Sequence, residues 1–233
     1  MSVQSAPSKF LAEHQKKEFA ERLLKWWRTN KRDFPWRRTT DSYKILIAEL
    51  LLRKTTAKQV STLYEKFLSK YPCPEMLSEA SERELEDIVR PLGMEHKRAV
   101  LLKKIGSEII RKYSGQVPTS KENLIGLPGV GSYVANAILC FAHGHYVPLV
   151  DTNAIRVFQR VFGFQSKRRR PKDDPALWDF VASTIPHGKA REFNLAIIDH
   201  AHSICTPKNP RCPVCPLNVL CKYAKEEYGK FED

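Results

Sequence analysis

Leu127-Pro128-Gly129-Val130-Gly131 is the stretch on which the fold turns. Pro128 stiffens the turn, and the glycines at 129 and 131 let backbone amides approach a ligand that a Cβ would hold off. Before it, Thr119 or Ser120 can cap a short helix ending near Gly126. After it, Ser132 to Ala142 reads as a helix of small residues. A glycine turn between two helices leaves outward-facing amides at the start of the second helix. That arrangement binds a phosphate without any side chain. Alone, a Gly-x-Gly would be an ordinary turn; the flanking helices and the basic composition favour the phosphate.

Outward from this hairpin, the apolar residues keep a helical period in both directions. Phe19, Leu23, Trp26 and Trp27 mark an amphipathic helix over Gln15–Asn30. Asp41 or Ser42 caps the next, in which Ile45, Leu46, Ile47, Leu50, Leu51 and Leu52 leave hardly a polar face. It should therefore be central, and Glu49 sits inside its apolar run. Thr56–Leu68 reads as one further helix. Ser81-x-x-Glu84 is a capping box opening a helix that ends near Pro91-Leu92-Gly93. His96–Tyr113 is long, with Lys and Arg along one face. Helices are expected from Asp151, from about Pro175 to Ile185, and from Lys189 to Ile204. Val147–Val150 is the best strand candidate and is too short to matter. The class is all-α without an internal repeat.

Lysine and arginine number 39 against 26 acidic residues, a formal net charge of +13. Such an excess suggests a polyanionic partner, nucleic acid being the commonest; solubility alone is the bland reading. No apolar run is long enough to span a bilayer, and Met1–Lys9 has no signal-peptide centre. The expectation is a cytosolic protein, where disulfides are disfavoured. Ser166-Lys167-Arg168-Arg169-Arg170-Pro171-Lys172 reads as a solvated loop between helices.

Cys205, Cys212, Cys215 and Cys221 follow the pattern C-x6-C-x2-C-x5-C. Thiolates gathered this closely need a compact positive centre. The residues between them are loop formers with the cations Lys208 and Arg211. Structural zinc more often takes two C-x2-C pairs. The uneven gaps suit a [4Fe–4S] cube, one thiolate per corner, with zinc and then disulfides as alternatives. Cys73 and Cys140 are isolated in apolar surroundings and read as buried structural thiols.

The Leu-Pro-Gly-Val-Gly turn, an aspartate twenty residues later in Val150-Asp151-Thr152-Asn153, and the cysteine loop together resemble the helix-hairpin-helix superfamily of DNA glycosylases. The branch resembled contains endonuclease III, the adenine glycosylases of A·G mismatches and the thymine glycosylases of G·T mismatches. The likeness runs from Arg32-Asp33-Phe34-Pro35-Trp36 to Cys221. It implies two helical domains: a barrel over residues 40–145 carrying the hairpin, and a cluster domain from residues 10–39 with 146–233. Residues 1–9 would be disordered, the cluster loop would be 205–221, and the active site would lie in the cleft between the domains. The partner would be double-stranded DNA with a mismatched or damaged base, bound by a monomer. Gly129, Val130 and Gly131 would hold the DNA backbone, often with a monovalent cation.

By the same resemblance, Asp151 stabilises the oxocarbenium-like sugar formed when the C1′–N bond breaks. In isolation it reads as a helix N-cap. Bifunctional relatives carry lysine two residues after the second hairpin glycine; here stands Tyr133, which cannot form a Schiff base, so the expected enzyme is monofunctional. A packed aromatic is the plainer reading of Tyr133. Glu49 would line the base pocket, protonating a purine or accepting from a pyrimidine imide; an exposed helix edge is its alternative. Where adenine glycosylases read leucine-glutamine-glutamine-threonine, this chain reads Leu52-Arg53-Lys54-Thr55, with a basic pair like that of the thymine enzymes. Adenine glycosylases also usually carry a further C-terminal domain, and this chain stops twelve residues after Cys221. Thymine or uracil opposite guanine is therefore the expected substrate. Adenine opposite guanine or 8-oxoguanine is the alternative, and a non-catalytic DNA-binding iron–sulfur protein the further one. Arg53 and Lys54 are candidate probes of the orphan guanine, with plain phosphate contacts as the rival reading. Lys208 and Arg211 are candidate backbone contacts, with solvated loop cations as theirs.

Overall fold

The computed structural model describes residues 9–229. The expected loose segment 1–9 lies outside them, except Lys9, where the first helix begins. The described residues form helices, short 3-10 turns and loops, with no strand, Val147–Val150 included. The chain divides into two units. One gathers the chain up to Arg32 with everything from Tyr146 onward; the other is Asp33–His145.

The first unit opens with α1 (Lys9–Asn30). The second follows, from α2 (Ser42–Leu51) to α3 (Ala57–Ser61), α4 (Tyr64–Lys70), α5 (Pro74–Glu79), α6 (Glu82–Val89), α7 (Glu95–Tyr113), α8 (Lys121–Ile125) and α9 (Ser132–His143). As its apolar sequence requires, α2 is central: residues 45–51 are all buried. Asp41 caps it, accepting from Lys44 N. It packs on α9, while α7 packs on α5 and α6. Gly106 makes the α7–α5 crossing close, since a Cβ there would lie 3.0 Å from Pro74 O and Ser78 N. The buried filling includes Leu46, Ile47, Leu51, Phe67, Leu77 and Leu102. By area, each such side chain contributes about 1.5–3 kcal/mol.

The expected helix over Thr56–Leu68 is two, α3 and α4. Thr56 and Gln59 form a capping box at its start. Ser61 and Thr62 then turn their hydroxyls onto the carbonyls of Lys58 and Gln59, 2.8 Å each. Such local bonds compete with the helical ladder and break the run.

The chain returns to the first unit through α10 (Thr152–Phe162), α11 (Pro175–Ala182), α12 (Ala190–Ser203) and α13 (Lys222–Tyr228). Helix α12 packs on α1 and α10. Phe19, Phe158, Phe162, Phe180 and Phe193 form an aromatic core with edge-on pairs 5.0–6.0 Å apart. Asp199, fully buried, accepts from Trp27 Nε1 (2.8 Å), Arg32 N (3.1 Å) and Arg32 Nε (2.6 Å). One carboxylate thus ties α1 and the chain leaving it to α12.

Candidate active site and cysteine loop

The hairpin is formed by α8, the turn and α9. Ser120 caps α8, accepting from Asn123 N. Gly129 is required twice over: its φ is +73°, and a Cβ would stand 2.9 Å from Leu101 and 3.0 Å from Arg53 Nη1. Gly131 is extended and exposed, and precedes α9 as its N-cap. Val130 is buried and its amide donates to Leu127 O, closing the turn. Its part is therefore to pack and shape the loop, while Gly129 and Gly131 present open backbone. Tyr133, half-buried, is the second residue of α9.

Glu49 is 8% exposed in α2, which removes the exposed-edge reading. Arg53 and Lys54 stand exposed beyond the end of the same helix, Lys54 in the left-handed region at φ 53°. All of these belong to the unit Asp33–His145.

In the other unit, Asp151 is the N-cap of α10 and half-buried. Its Oδ1 accepts from Asn153 N (2.9 Å) and Ala154 N (2.8 Å), and its Oδ2 from Asn153 Nδ2 (2.7 Å). The capping reading is thus realised, and the capping bonds fix the carboxylate in place for chemistry. A chain of bonds continues from it. Arg156 Nη2 donates to Asn153 Oδ1 (3.0 Å) and to Ala201 O (3.0 Å), and Arg156 Nε donates to Cys205 O (2.7 Å). Asn153 and Arg156 escaped the sequence reading. Their i, i+3 spacing on the first turns of α10 was the available signal.

Cys205 follows α12, Cys212 opens a 3-10 turn that ends before Cys215, and Cys221 caps α13. Arg211 N donates to Ile204 O (3.0 Å), closing the wide first loop. All four are free thiols, and Cys205, Cys212 and Cys221 are buried. Burial pushes Cys215 up to about 12, and raises Cys212 and Cys221, each reinforced by the neighbouring cysteines. Such thiols ionise only around a strong positive centre. Two sulfurs already receive donors: Cys215 Sγ from Leu217 N (3.4 Å) and Cys205 Sγ from Arg160 Nη1 (3.4 Å). His200 Nε2 lies 3.2 Å from Cys215 Sγ, and burial holds this histidine down to about 4. As they stand, no three Cys, His, Asp or Glu side chains among the described residues converge to ligate one ion. Buried, mutually coupled thiols with N–H donors fit a [4Fe–4S] cluster. Lys208 and Arg211 project, exposed, from the same loop.

Residues 47–181 match the HhH-GPD superfamily of base excision DNA repair proteins. The chain belongs to that superfamily. Within it, the chain is 47% identical over 215 residues to a thymine/uracil-DNA glycosylase of Pyrobaculum aerophilum, covering 90% of this chain and 94% of that one. It is 45% identical over 205 residues to a thymine-DNA glycosylase of Aeropyrum pernix, with 87% and 92% covered. A solved structure of a thermostable thymine-DNA glycosylase superposes with a TM-score of 0.87 at 38% identity, over 91% of this chain and 98% of that one. The HhH-GPD hairpin is the α8–α9 turn, and its aspartate is Asp151. No helix among the described residues is long and apolar enough to cross a membrane.

Proposed function

We propose that the protein is a monofunctional mismatch DNA glycosylase. It hydrolyses the N-glycosidic bond of thymine or uracil opposite guanine, the first step in base excision repair of deaminated bases. The observation that carries the reading is Asp151, a carboxylate locked by three hydrogen bonds at the start of α10. Likeness to thymine/uracil enzymes over nearly the full length of both chains supports the choice of base.

The target nucleotide leaves the stack, at a cost of a few kcal/mol that is least at a mismatch. Gly129 and Gly131 bind the strand through backbone amides, with a monovalent cation there. The C1′–N bond then breaks, its electron pair leaving with the base, and positive charge develops on the sugar. Asp151 stabilises that charge and directs water onto C1′. The water keeps its oxygen on C1′ and gives up a proton, and the base is released protonated. Glu49, buried in α2, accepts a hydrogen bond from the imide N–H of the pyrimidine. Tyr133 offers no amine, so no Schiff base forms and the strand stays intact.

Cys205, Cys212, Cys215 and Cys221 would hold a [4Fe–4S] cluster, which when bound supplies a fixed centre for the loop carrying Lys208 and Arg211. The Arg156 bonds to Cys205 O and Asn153 Oδ1 connect that loop to the carboxylate. The protein acts as a monomer in this reading. A second reading, adenine opposite guanine or 8-oxoguanine, draws on buried Glu49, which could protonate a purine. Single-turnover excision on G·T, G·U, A·G and A·8-oxoguanine duplexes, with and without alkali, decides between them. Alkali-dependent cleavage at thymine and uracil supports the proposal; cleavage at adenine alone overturns it.

A further inference from the structure

We propose that Arg98 is the positioning residue of the duplex-probing face: its guanidinium sets the spacing of the loops 53–54 and 93–94. The inference rests on the reading of Arg53 and Lys54 as probes of the orphan guanine. Arg98, on the first turn of α7, is 7% exposed. Its Nε donates to Gly93 O (2.8 Å), its Nη1 to Leu50 O (3.1 Å) and Leu51 O (3.2 Å), and its Nη2 to Arg53 O (2.5 Å). Among the described residues no carboxylate pairs with it.

A buried cation held only by carbonyl dipoles is costly, and an apolar side chain would fill the space at less expense. Burial and the charge of Arg53 accordingly lower its pKa. What a guanidinium supplies is a rigid planar fork of donors. Here the fork caps the last turn of α2, satisfies carbonyls left without helical donors, and bridges to a loop some forty residues further along. Both bridged loops contain a non-glycine residue in the left-handed region, Lys54 at φ 53° and Met94 at φ 55°. Such conformations persist where the surroundings over-determine them. Between the loops lies a cavity of about 280 Å³ floored by Leu50, Leu51 and Leu101. Arg53, Lys54 and Met94, the last 47% exposed, stand at its edge. The surface runs on into the hairpin, because Leu101 and Arg53 are the atoms that a Cβ on Gly129 would strike. The probes and the phosphate-binding turn thus share one support, and Arg98 fixes its width.

The test compares single-turnover excision of uracil opposite guanine with uracil opposite a tetrahydrofuran abasic analogue, at saturating enzyme. Melting temperature and iron content are read beside it. Lysine offers three donors from one point and cannot span these carbonyls. Arg98→Lys and Arg98→Gln should slow the guanine duplex about tenfold and leave the duplex without an opposite base unchanged. Equal slowing on both substrates, or none on either, in a folded variant overturns the inference. Should one variant fail to fold, the other decides. An Arg53→Ala, Lys54→Ala double variant separates the parent reading. If it keeps the guanine preference while Arg98→Lys loses it, those two side chains are not the probes and Arg98 stands. If it loses the preference while Arg98→Lys keeps it, Arg98 is not the positioning residue.

Discussion

Asp151 does two jobs, and replacing it with serine separates them. As the N-cap of α10 it accepts from Asn153 N and Ala154 N. Serine caps about as well as aspartate. The lost charge at the helix start costs ~0.3–1 kcal/mol at a half-exposed site. For a chain of this size that is a fall of about 2–4 °C in Tm at most. The chemistry has no such substitute. Removing one group that stabilises transition-state charge costs ~2.7–4 kcal/mol, or on the order of 100- to 1,000-fold in rate. Asp151→Ser should therefore melt within a few degrees of the wild type and bind a G·T duplex as tightly or more tightly, yet release thymine at least about 100 times more slowly. Asp151→Ala, which also loses the cap, should cost a further ~1 kcal/mol of stability. Single-turnover thymine release, fluorescence anisotropy and thermal melting read the three quantities. A folded Asp151→Ser protein excising at the wild-type rate would show that the carboxylate is only a cap.

Tyr133→Lys should place an amine where relatives with strand-cutting activity carry one. Borohydride should then trap the variant covalently on G·T DNA and leave the wild type untrapped; a folded, DNA-binding variant that never traps removes residue 133 from the sugar site. Arg156→Ala frees Asn153 from its orienting bond and should slow excision about 10- to 100-fold, as loss of a group behind a ligand does, with duplex binding retained; an unchanged rate would show the link from Cys205 to Asp151 to be passive. Lys208→Glu with Arg211→Glu should weaken matched and mismatched duplexes alike and flatten the dependence of affinity on salt by about one unit per lost phosphate contact. Loss of mismatch preference alone would mean that these side chains read the lesion.

The helical class was legible because apolar residues repeat at helical spacing wherever a helix packs, as Phe19, Leu23 and Ile45–Leu51 do. Pro74–Glu79 and Lys222–Tyr228 were not, being too short for a period to emerge. The break at Ser61 and Thr62 lies in hydroxyls that compete with the ladder, which propensity along the chain does not separate from exposed helix. Asp151 and the cysteines could be picked out by spacing from the hairpin and from one another. Arg98 could not, since it sits among Lys97, Lys103 and Lys104 in a basic stretch, and only tertiary packing turns it inward. Val130, placed by its motif among the DNA contacts, is buried by the turn it closes.

The most direct test of the account is to incubate the wild-type protein with a G·T duplex labelled in the thymine and to separate the products before and after alkali. The account predicts free thymine, an intact abasic strand that breaks only on alkali, and an untouched guanine strand. Strand scission without alkali, or a duplex left whole while A·G DNA loses adenine, would contradict it.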